Sequence, residues 1–265
     1  MESTFLNHIP CEKCGSRDNA GLYTDGHVFC FGCGHHTRAR DGQTVPPAKL
    51  PVGGKKGFLK PGELLGLPER RISQATCTRY QYQTLKLGER TVHVAPYYNS
   101  DRRLVAQKIR ELEPVKRFWS RGSFADALPF GSQAFDRTGK AVIVTEGEID
   151  AMSLSQVLGK DTAVVSIACG AGAQIKKYFL SQAAYFRSFE AVCLAFDGDQ
   201  QGCDAMQNAA SILSASGGIT TRYVETWLWP EKDANAMLLA GKVEQLVLTV
   251  SHALHNTYGK RVAGQ

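Results

Sequence analysis

No stretch of this 265-residue chain approaches 18 uncharged apolar residues, the length a helix needs to cross a bilayer. The N-terminal MESTFLNHIPCEKCG lacks the basic-then-apolar order of a secretory signal. The chain therefore reads as a soluble intracellular protein with no membrane partner and a cytoplasmic location. Also lacking is a G-x-x-x-x-G-K-[ST] phosphate loop, which excludes an ATP-driven motor of that type. There is no internal repeat and no heptad pattern. Residues 1 to about 40 have no helical apolar period, so they cannot bury much of a core unaided.

What is present is a 43% hydrophobic content, that of a folded protein. Lys and Arg exceed Asp and Glu by 31 to 25, a formal charge of +6. That excess suits a polyanionic partner, but many proteins that bind none share it. Eight cysteines fall into two groups: Cys11, Cys14, Cys30 and Cys33 cluster in the polar N-terminal stretch, while Cys77, Cys169, Cys193 and Cys203 are scattered. The clustered four read as metal thiolates and the scattered four as reduced structural cysteines.

The organisation follows from composition. Residues 1–43 form a first module. The segment 44–62, TVPPAKLPVGGKKGFLKPG, combines Pro, Gly and Lys and reads as an extended, mobile linker. Residues 63–138 mix a helix-like piece, ISQATCTRY, with strand-like pieces, TVHVAPYY and RLVAQKIR, which predicts an α+β subdomain. From 139 to 250 strands alternate with helices: AVIVT, a helix over 146–158, TAVVSI, a helix in KKYFLSQAAYF, EAVCLAF, a helix over 202–215, TTRYVE and a helix in DANAMLLAG. Such alternation predicts a mainly parallel sheet covered on both faces. Residues 251–265 are left as a tail. The fold class is α/β, with a small β module ahead of it.

The motif Cys11-x-x-Cys14, fifteen residues, Cys30-x-x-Cys33 predicts two tight turns that complete a closed tetrahedral Zn²⁺ site, one structural ion per chain. His35 and His36 stand nearby as bystanders, or as substitutes for a cysteine. Between the pairs lie Tyr23, His27, Phe29 and Phe31. They offer stacking and hydrogen-bonding groups suited to single-stranded bases, with packing around the zinc as the alternative. His27 follows an expected turn at Asp25-Gly26, and Tyr23 and His27 are the candidates for nucleic-acid contact.

A second constellation is acidic. Glu146-Gly147-Glu148-Ile149-Asp150 follows one strand and Asp197-Gly198-Asp199 follows another, with Gly202 just beyond. Open α/β sheets bind ligands at these strand ends. If the strands are neighbours, Glu146, Asp197 and Asp199 converge, and the usual relief of convergent carboxylates is a divalent cation such as Mg²⁺. The alternative is an acidic first helical turn, where a negative charge contributes about 0.3 to 1 kcal/mol.

These residues carry a resemblance. EGxxD (Glu146-Gly147-x-x-Asp150) and DxDxxG (Asp197-x-Asp199-x-x-Gly202) resemble the Toprim domain shared by bacterial-type primases, topoisomerases, and certain nucleases and recombination proteins. A zinc ribbon, a linker and a Toprim core together resemble DNA primases, in particular the primase half of the primase-helicases of short-tailed lytic phages. IPCEKCG, DGHVFC, VAQKIR, VTEGEID, FDGDQQG and KDANAML occur in the expected order. The resemblance implies that Glu146, Asp197 and Asp199 hold catalytic Mg²⁺, with Mn²⁺ as an alternative occupant. It adds Asp233 as a further metal acid, Asp150 as a supporting acid, and Lys108 near the nucleotide. The pattern leaves Glu148 open, and Cys169 departs from it and carries no assigned role.

The stretch 101–121, DRRLVAQKIRELEPVKRFWSR, holds seven Lys or Arg against three acids. Lys108 and Arg110 share one face of an expected strand. Together with Lys116 and Arg117 they are candidates for binding template phosphates or a triphosphate, against the alternative of a solvated charged surface. The resemblance implies an RNA-polymerase core that makes primers de novo from ribonucleoside triphosphates on single-stranded DNA. The implied partners are the RNA primer product, a replicative helicase (a separate chain or a C-terminal part of a longer one) and a DNA polymerase that receives the primer. If the chain is phage-encoded, it works in the host cytoplasm. Two other readings stay open: a Toprim-type nuclease or topoisomerase-related enzyme, and a zinc-ribbon adaptor without catalysis.

Overall fold

The computed structural model describes residues 3, 5–15, 20–30, 33–37, 57–111, 117–136, 138–169 and 174–255. Most of the expected linker, Phe31, Lys116 and the glycine-rich stretch 170–173 lie outside them. The chain divides into two compact units, Met1–Gly54 and Lys55–Gln265.

The first unit is an antiparallel four-stranded sheet in sequential order: β1 (Phe5–Ile9), β2 (Ala20–Tyr23), β3 (Val28–Cys30) and β4 (His36–Thr37). The turn between β2 and β3 closes where expected. Gly26, at φ 81°, donates its N–H to the Tyr23 carbonyl at 2.8 Å. Among the described residues its buried core is Cys11, Ala20 and Cys30 with Ile9 and Val28 alongside, little apolar surface to hold a fold alone.

The second unit begins with a helix, α1 (Gln74–Tyr80), capped by Ser73, whose hydroxyl accepts the Thr76 N–H at 3.2 Å. An antiparallel meander follows: β5 (Gln83–Leu87), β6 (Arg90–Tyr98), β7 (Leu104–Glu111) and β8 (Arg117–Gly122). Side chains alternate across it. Val92, Val94 and Ile109 form one small core with Leu85, Leu87 and Trp119. The opposite face turns Ala95, Tyr97 and Ala106 into the main core, with Ile143 and Val164 of the next sheet.

That next sheet is wholly parallel. β9 (Gly139–Thr145) leads into α2 (Glu148–Leu158), and β10 (Ala163–Ser166) into α3 (Ile175–Ser181) and α4 (Ala183–Phe186). β11 (Phe189–Leu194) leads into α5 (Gln200–Ala215), and β12 (Thr220–Tyr223) into α6 (Ala234–Leu239) and α7 (Val243–His255). The strand order is β10-β9-β11-β12. Both faces are covered, which is why β10, β11 and the second half of β9 are nearly continuous apolar runs rather than alternating, whereas the edge strand β12 is TTRY. Val142, Val144, Val192 and Leu194 face a core that includes Phe179, Phe186, Ala209 and Leu213. Ile143, Cys193 and Ala195 face Leu154, Met237, Leu246 and Val250.

Two details differ from sequence expectation. The helix expected in KKYFLSQAAYF is two pieces that meet at Gln182, where the Tyr178 carbonyl accepts both the Gln182 N–H at 3.0 Å and the Ser181 hydroxyl at 2.7 Å. α7 runs to His255, into the segment read as a tail. The two sheets are joined through Phe130 and Ser166, whose backbones exchange hydrogen bonds at 3.0 and 3.1 Å, and through the Tyr80 hydroxyl, which donates to the Val164 carbonyl at 2.7 Å.

Candidate active site

Each cysteine pair of the first unit is a C-x-x-C-G turn. Gly15 and Gly34 stand at φ 69° and 68°, a backbone region that glycine enters freely. Their N–H groups return to the carbonyls of Cys11 and Cys30 at 3.0 and 2.9 Å. The ligating atoms of Cys11, Cys14, Cys30 and Cys33 all lie within 4.8 Å of one another. Cys11 and Cys33 sulfurs are 3.7 Å apart and Cys14 and Cys30 sulfurs 3.8 Å. A disulfide is about 2 Å, whereas tetrahedral thiolates with metal bonds of about 2.3 Å stand roughly 3.8 Å apart. The donor set therefore fits a four-thiolate metal ion. The His35 N–H pulls the Cys33 thiol down, but burial and the other three thiols push it up to about 12. Four anions at this spacing require a cation.

On the same unit Tyr23 and His27 stack, with ring centroids 4.0 Å apart and planes 12° from parallel. Asp25 Oδ1 lies 2.6 Å from His27 Nδ1 and accepts the His27 N–H at 3.2 Å. His36 meets His27 edge-on at 5.4 Å and Phe29 at 6.4 Å. Phe29 thus joins an aromatic row, and the structure places His36 in it as well.

In the second unit β9 and β11 are direct neighbours, so the two acidic clusters meet. Glu146 Oε1 accepts the backbone N–H of Asp197 at 3.2 Å. Asp199 caps α5 by accepting the Gly202 N–H at 2.9 Å. Asp233 caps α6 by accepting the Ala236 N–H at 2.7 Å and meets Lys232 Nζ at 3.1 Å. Burial, then the charges of Asp233 and Asp199 with Lys232 opposing, push the Asp197 carboxyl up to about 6. Among the described residues only the four thiols form a tight ligand cluster. The acids are more open, a set suited to Mg²⁺, which keeps several waters and takes one or two carboxylates.

Two glycines permit this arrangement. A Cβ on Gly202 would stand 2.1 Å from the Asp197 carbonyl oxygen, and one on Gly198 2.5 Å from that of Thr226. The Gly198 N–H also donates to the Lys232 carbonyl at 2.9 Å. This bond holds the strand-end loop against the segment that carries Asp233.

Asp150 lies behind these acids. It accepts the Asn235 N–H at 3.0 Å, and burial followed by Asp233 and Asp197 pushes its carboxyl well above the ordinary range. Asn235, unremarked in the sequence, is buried at 2% exposure. Its amide donates to the Arg70 carbonyl and to Ser153 at 3.0 Å each and accepts from Arg70 at 3.2 Å. It therefore fixes the start of α6 and with it Asp233.

The third acid of the motif points elsewhere. Glu148 Oε1 meets Lys108 Nζ at 2.8 Å and also accepts from the Tyr97 hydroxyl. Burial alone would raise its carboxyl, but the Lys108 charge and these hydrogen bonds outweigh it and hold the group below the ordinary range. Lys108 and Arg110 share a face of β7, as expected. Their cross-strand partners are Ala95 and His93 on β6 and Ser120 and Phe118 on β8. Arg110 lies over the Phe118 ring at 5.5 Å. Arg117, by register with Glu111, lies on the other face of the sheet, so the structure does not bring it to Lys108. Burial pushes the Cys169 thiol up to about 11, with Lys108 opposing and Glu146 adding.

Residues 62–122 match the family model of the bacteriophage T7 DNA helicase/primase N-terminal α+β fold, and residues 143–238 match the Toprim-like family. A DNA helicase/primase of Enterobacteria phage T3 is 34% identical over 95% of this chain, and the alignment covers 44% of that protein. The chain thus spans less than half of that relative. The crystal structure of the primase fragment of the bacteriophage T7 primase-helicase is 32% identical, with a TM-score of 0.67, over 93% of this chain and 100% of that one. A second structure holds primase domains of that T7 protein with the T7 lagging-strand DNA polymerase, an RNA/DNA hybrid and dTTP. It is 34% identical over 72% of this chain and 93% of the matched one, with a TM-score of 0.65. With such a fragment matched along its whole length, and with both family models in their expected order, this chain belongs to the family of phage T7-type primase fragments.

Proposed function

We propose that this chain is a DNA primase that starts short RNA primers de novo on single-stranded DNA. The observation that carries the reading is the meeting of Glu146, Asp197 and Asp199 at the ends of two neighbouring parallel strands, with Asp233 at the start of α6 beside Asp197, and with Lys108 of the basic face paired to Glu148 of the same acidic segment. Glu146, Asp197 and Asp199 would hold catalytic Mg²⁺, or Mn²⁺ in its place, with Asp233 as a further acid. When bound, the ion would favour attack by one nucleotide's 3′-hydroxyl on the α-phosphate of the next and stabilise the pyrophosphate leaving group. Asp150 supports the set by holding α6 in place. Lys108 offsets triphosphate charge, and Arg110 and Lys116 serve template phosphates, while Arg117, on the other face of the sheet, stays outside this set.

The first unit, with Zn²⁺ in its four-thiolate site, would read template bases through Tyr23 and His27, since stacked rings beside a hydrogen-bonding edge suit unpaired bases. Within a longer polypeptide or beside it, the partner is a replicative helicase, and a DNA polymerase takes the finished primer. The host cytoplasm is the place of action. Among the described residues no helix is long and apolar enough to cross a membrane.

Incubation with ribonucleotides, Mg²⁺ and a library of single-stranded templates, followed by sequencing of the products, tests the reading. Short RNAs that begin at one shared template sequence are expected. Nicking of duplex DNA with no RNA product would replace it by the nuclease reading.

A further inference from the structure

We propose that Glu148 is a positioning residue: its carboxylate sets where the Lys108 ammonium stands beside the acid site, and so where the phosphates of a nucleoside triphosphate are received. The inference rests on the primase reading and assigns the one acid of Glu146-Gly147-Glu148-Ile149-Asp150 that this reading leaves without a task.

The three acids of that segment take three different partners. Glu146 accepts from the Asp197 backbone and Asp150 from the Asn235 backbone. Glu148, in the first turn of α2, reaches across to the antiparallel sheet. Lysine is a point charge on a flexible four-carbon stem, and unanchored it samples many positions. Here the ammonium is held at 2.8 Å by Glu148 Oε1 and lies 5.7 Å over the Tyr97 ring.

The anchor is itself rigid. Tyr97 is fully buried, its ring packs against Phe124 and Phe130 with centroids 5.0 and 5.8 Å away, and its hydroxyl donates to the same Glu148 oxygen. One oxygen thus receives a fixed phenol from the core and directs a mobile ammonium at the surface. An ammonium carries three donors. Glu148 takes one, and Lys108 keeps 31% of its side chain exposed, enough for phosphate oxygens to reach it.

The test is a double-mutant cycle read in two ways on the full chain: the affinity for Mg²⁺-ATP by calorimetry, and the KM for ribonucleotides against kcat in primer synthesis. Glu148→Ala is expected to weaken ATP binding and raise KM about tenfold, the size of one charge-assisted hydrogen bond, with kcat changed less. In a Lys108→Ala background the same change should add nothing. Glu148→Gln, which keeps the accepting Oε1, should recover most of the loss. If Glu148→Ala does not fold, Glu148→Gln and Tyr97→Phe carry the cycle, each expected to lose two- to threefold and nothing in the Lys108→Ala background.

Losses that multiply with that of Lys108→Ala, or an unchanged ATP affinity, overturn the assignment while leaving the primase reading intact. Coupled losses in ATP binding by a chain that makes no primer would overturn the primase reading alone. Failure of the wild-type chain to bind Mg²⁺-ATP would overturn both.

Discussion

Glu146 accepts a hydrogen bond from the backbone N–H of Asp197 at 3.2 Å, across the junction of two neighbouring parallel strands. The bond registers the two acidic clusters against each other independently of the Asp197 side chain. Asp197→Asn should therefore keep the fold while lowering Mg²⁺-dependent primer synthesis at least about 100-fold, the scale of losing one key electrostatic group. Thermal unfolding in metal-free buffer and a primer assay check the two halves. Activity within a few-fold of wild type would remove Asp197 from the metal set.

The pH dependence follows from the crowding of acids. Asp197 is pushed up to about 6 and Asp150 well above its ordinary range, so between roughly pH 4 and 6 the folded chain binds more protons than the unfolded one, and these groups make the fold less stable as pH rises. Above about pH 7 the Asp197 charge is present almost in full, and a bound cation relieves it. The rise in Tm caused by Mg²⁺ should be clear at pH 7.5 and nearly vanish at pH 5. A rise independent of pH would separate the ion from these acids.

Gly202 admits no side chain. Its Cβ would fall 2.1 Å from the Asp197 carbonyl oxygen, so Gly202→Ala should displace the loop carrying Asp197 and Asp199. The expected cost is about 1 to 3 kcal/mol of stability, as for other overpacked sites, with loss of Mg²⁺-dependent synthesis. Urea unfolding reads the first and the primer assay the second.

Cys11→Ser breaks a four-thiolate set in a unit whose buried core among the described residues is Cys11, Ala20 and Cys30. Bound zinc should fall from one ion per chain towards none, measured by metal analysis. Template-directed initiation should be lost, while extension of a supplied primer persists. Equal loss of both activities would deny the first unit a separate template-reading task.

Much of this was legible in one dimension because it is local. The C-x-x-C pairs are two short turns, each closed by the glycine that follows, and spacing alone reveals them. The strand and helix alternation after residue 139 is a change of hydrophobic period, also local. The pairing of β9 with β11 was readable only as a condition, since strand order depends on which crossovers the helices take.

Other features had no local signal. Asn235 is one polar residue in an unremarkable helix start, and its task depends on Arg70, Ser153 and Asp150, up to 165 residues away. Arg117 and Arg110 stand in one basic run yet lie on opposite faces of the sheet, because the register of β7 and β8 pairs Phe118 with Arg110.

The sequence by itself determined the chemistry on offer: four thiolates at the spacing of a metal site, and two acidic motifs, each closing a strand. Those properties reside in residue types a few positions apart, where chain connectivity enforces proximity. Only the tertiary structure decided how the three acids of one motif divide. Glu146 turns to Asp197, Asp150 to Asn235, and Glu148 to Lys108. Each partner comes from a different part of the fold, and only packing brings them within hydrogen-bond distance.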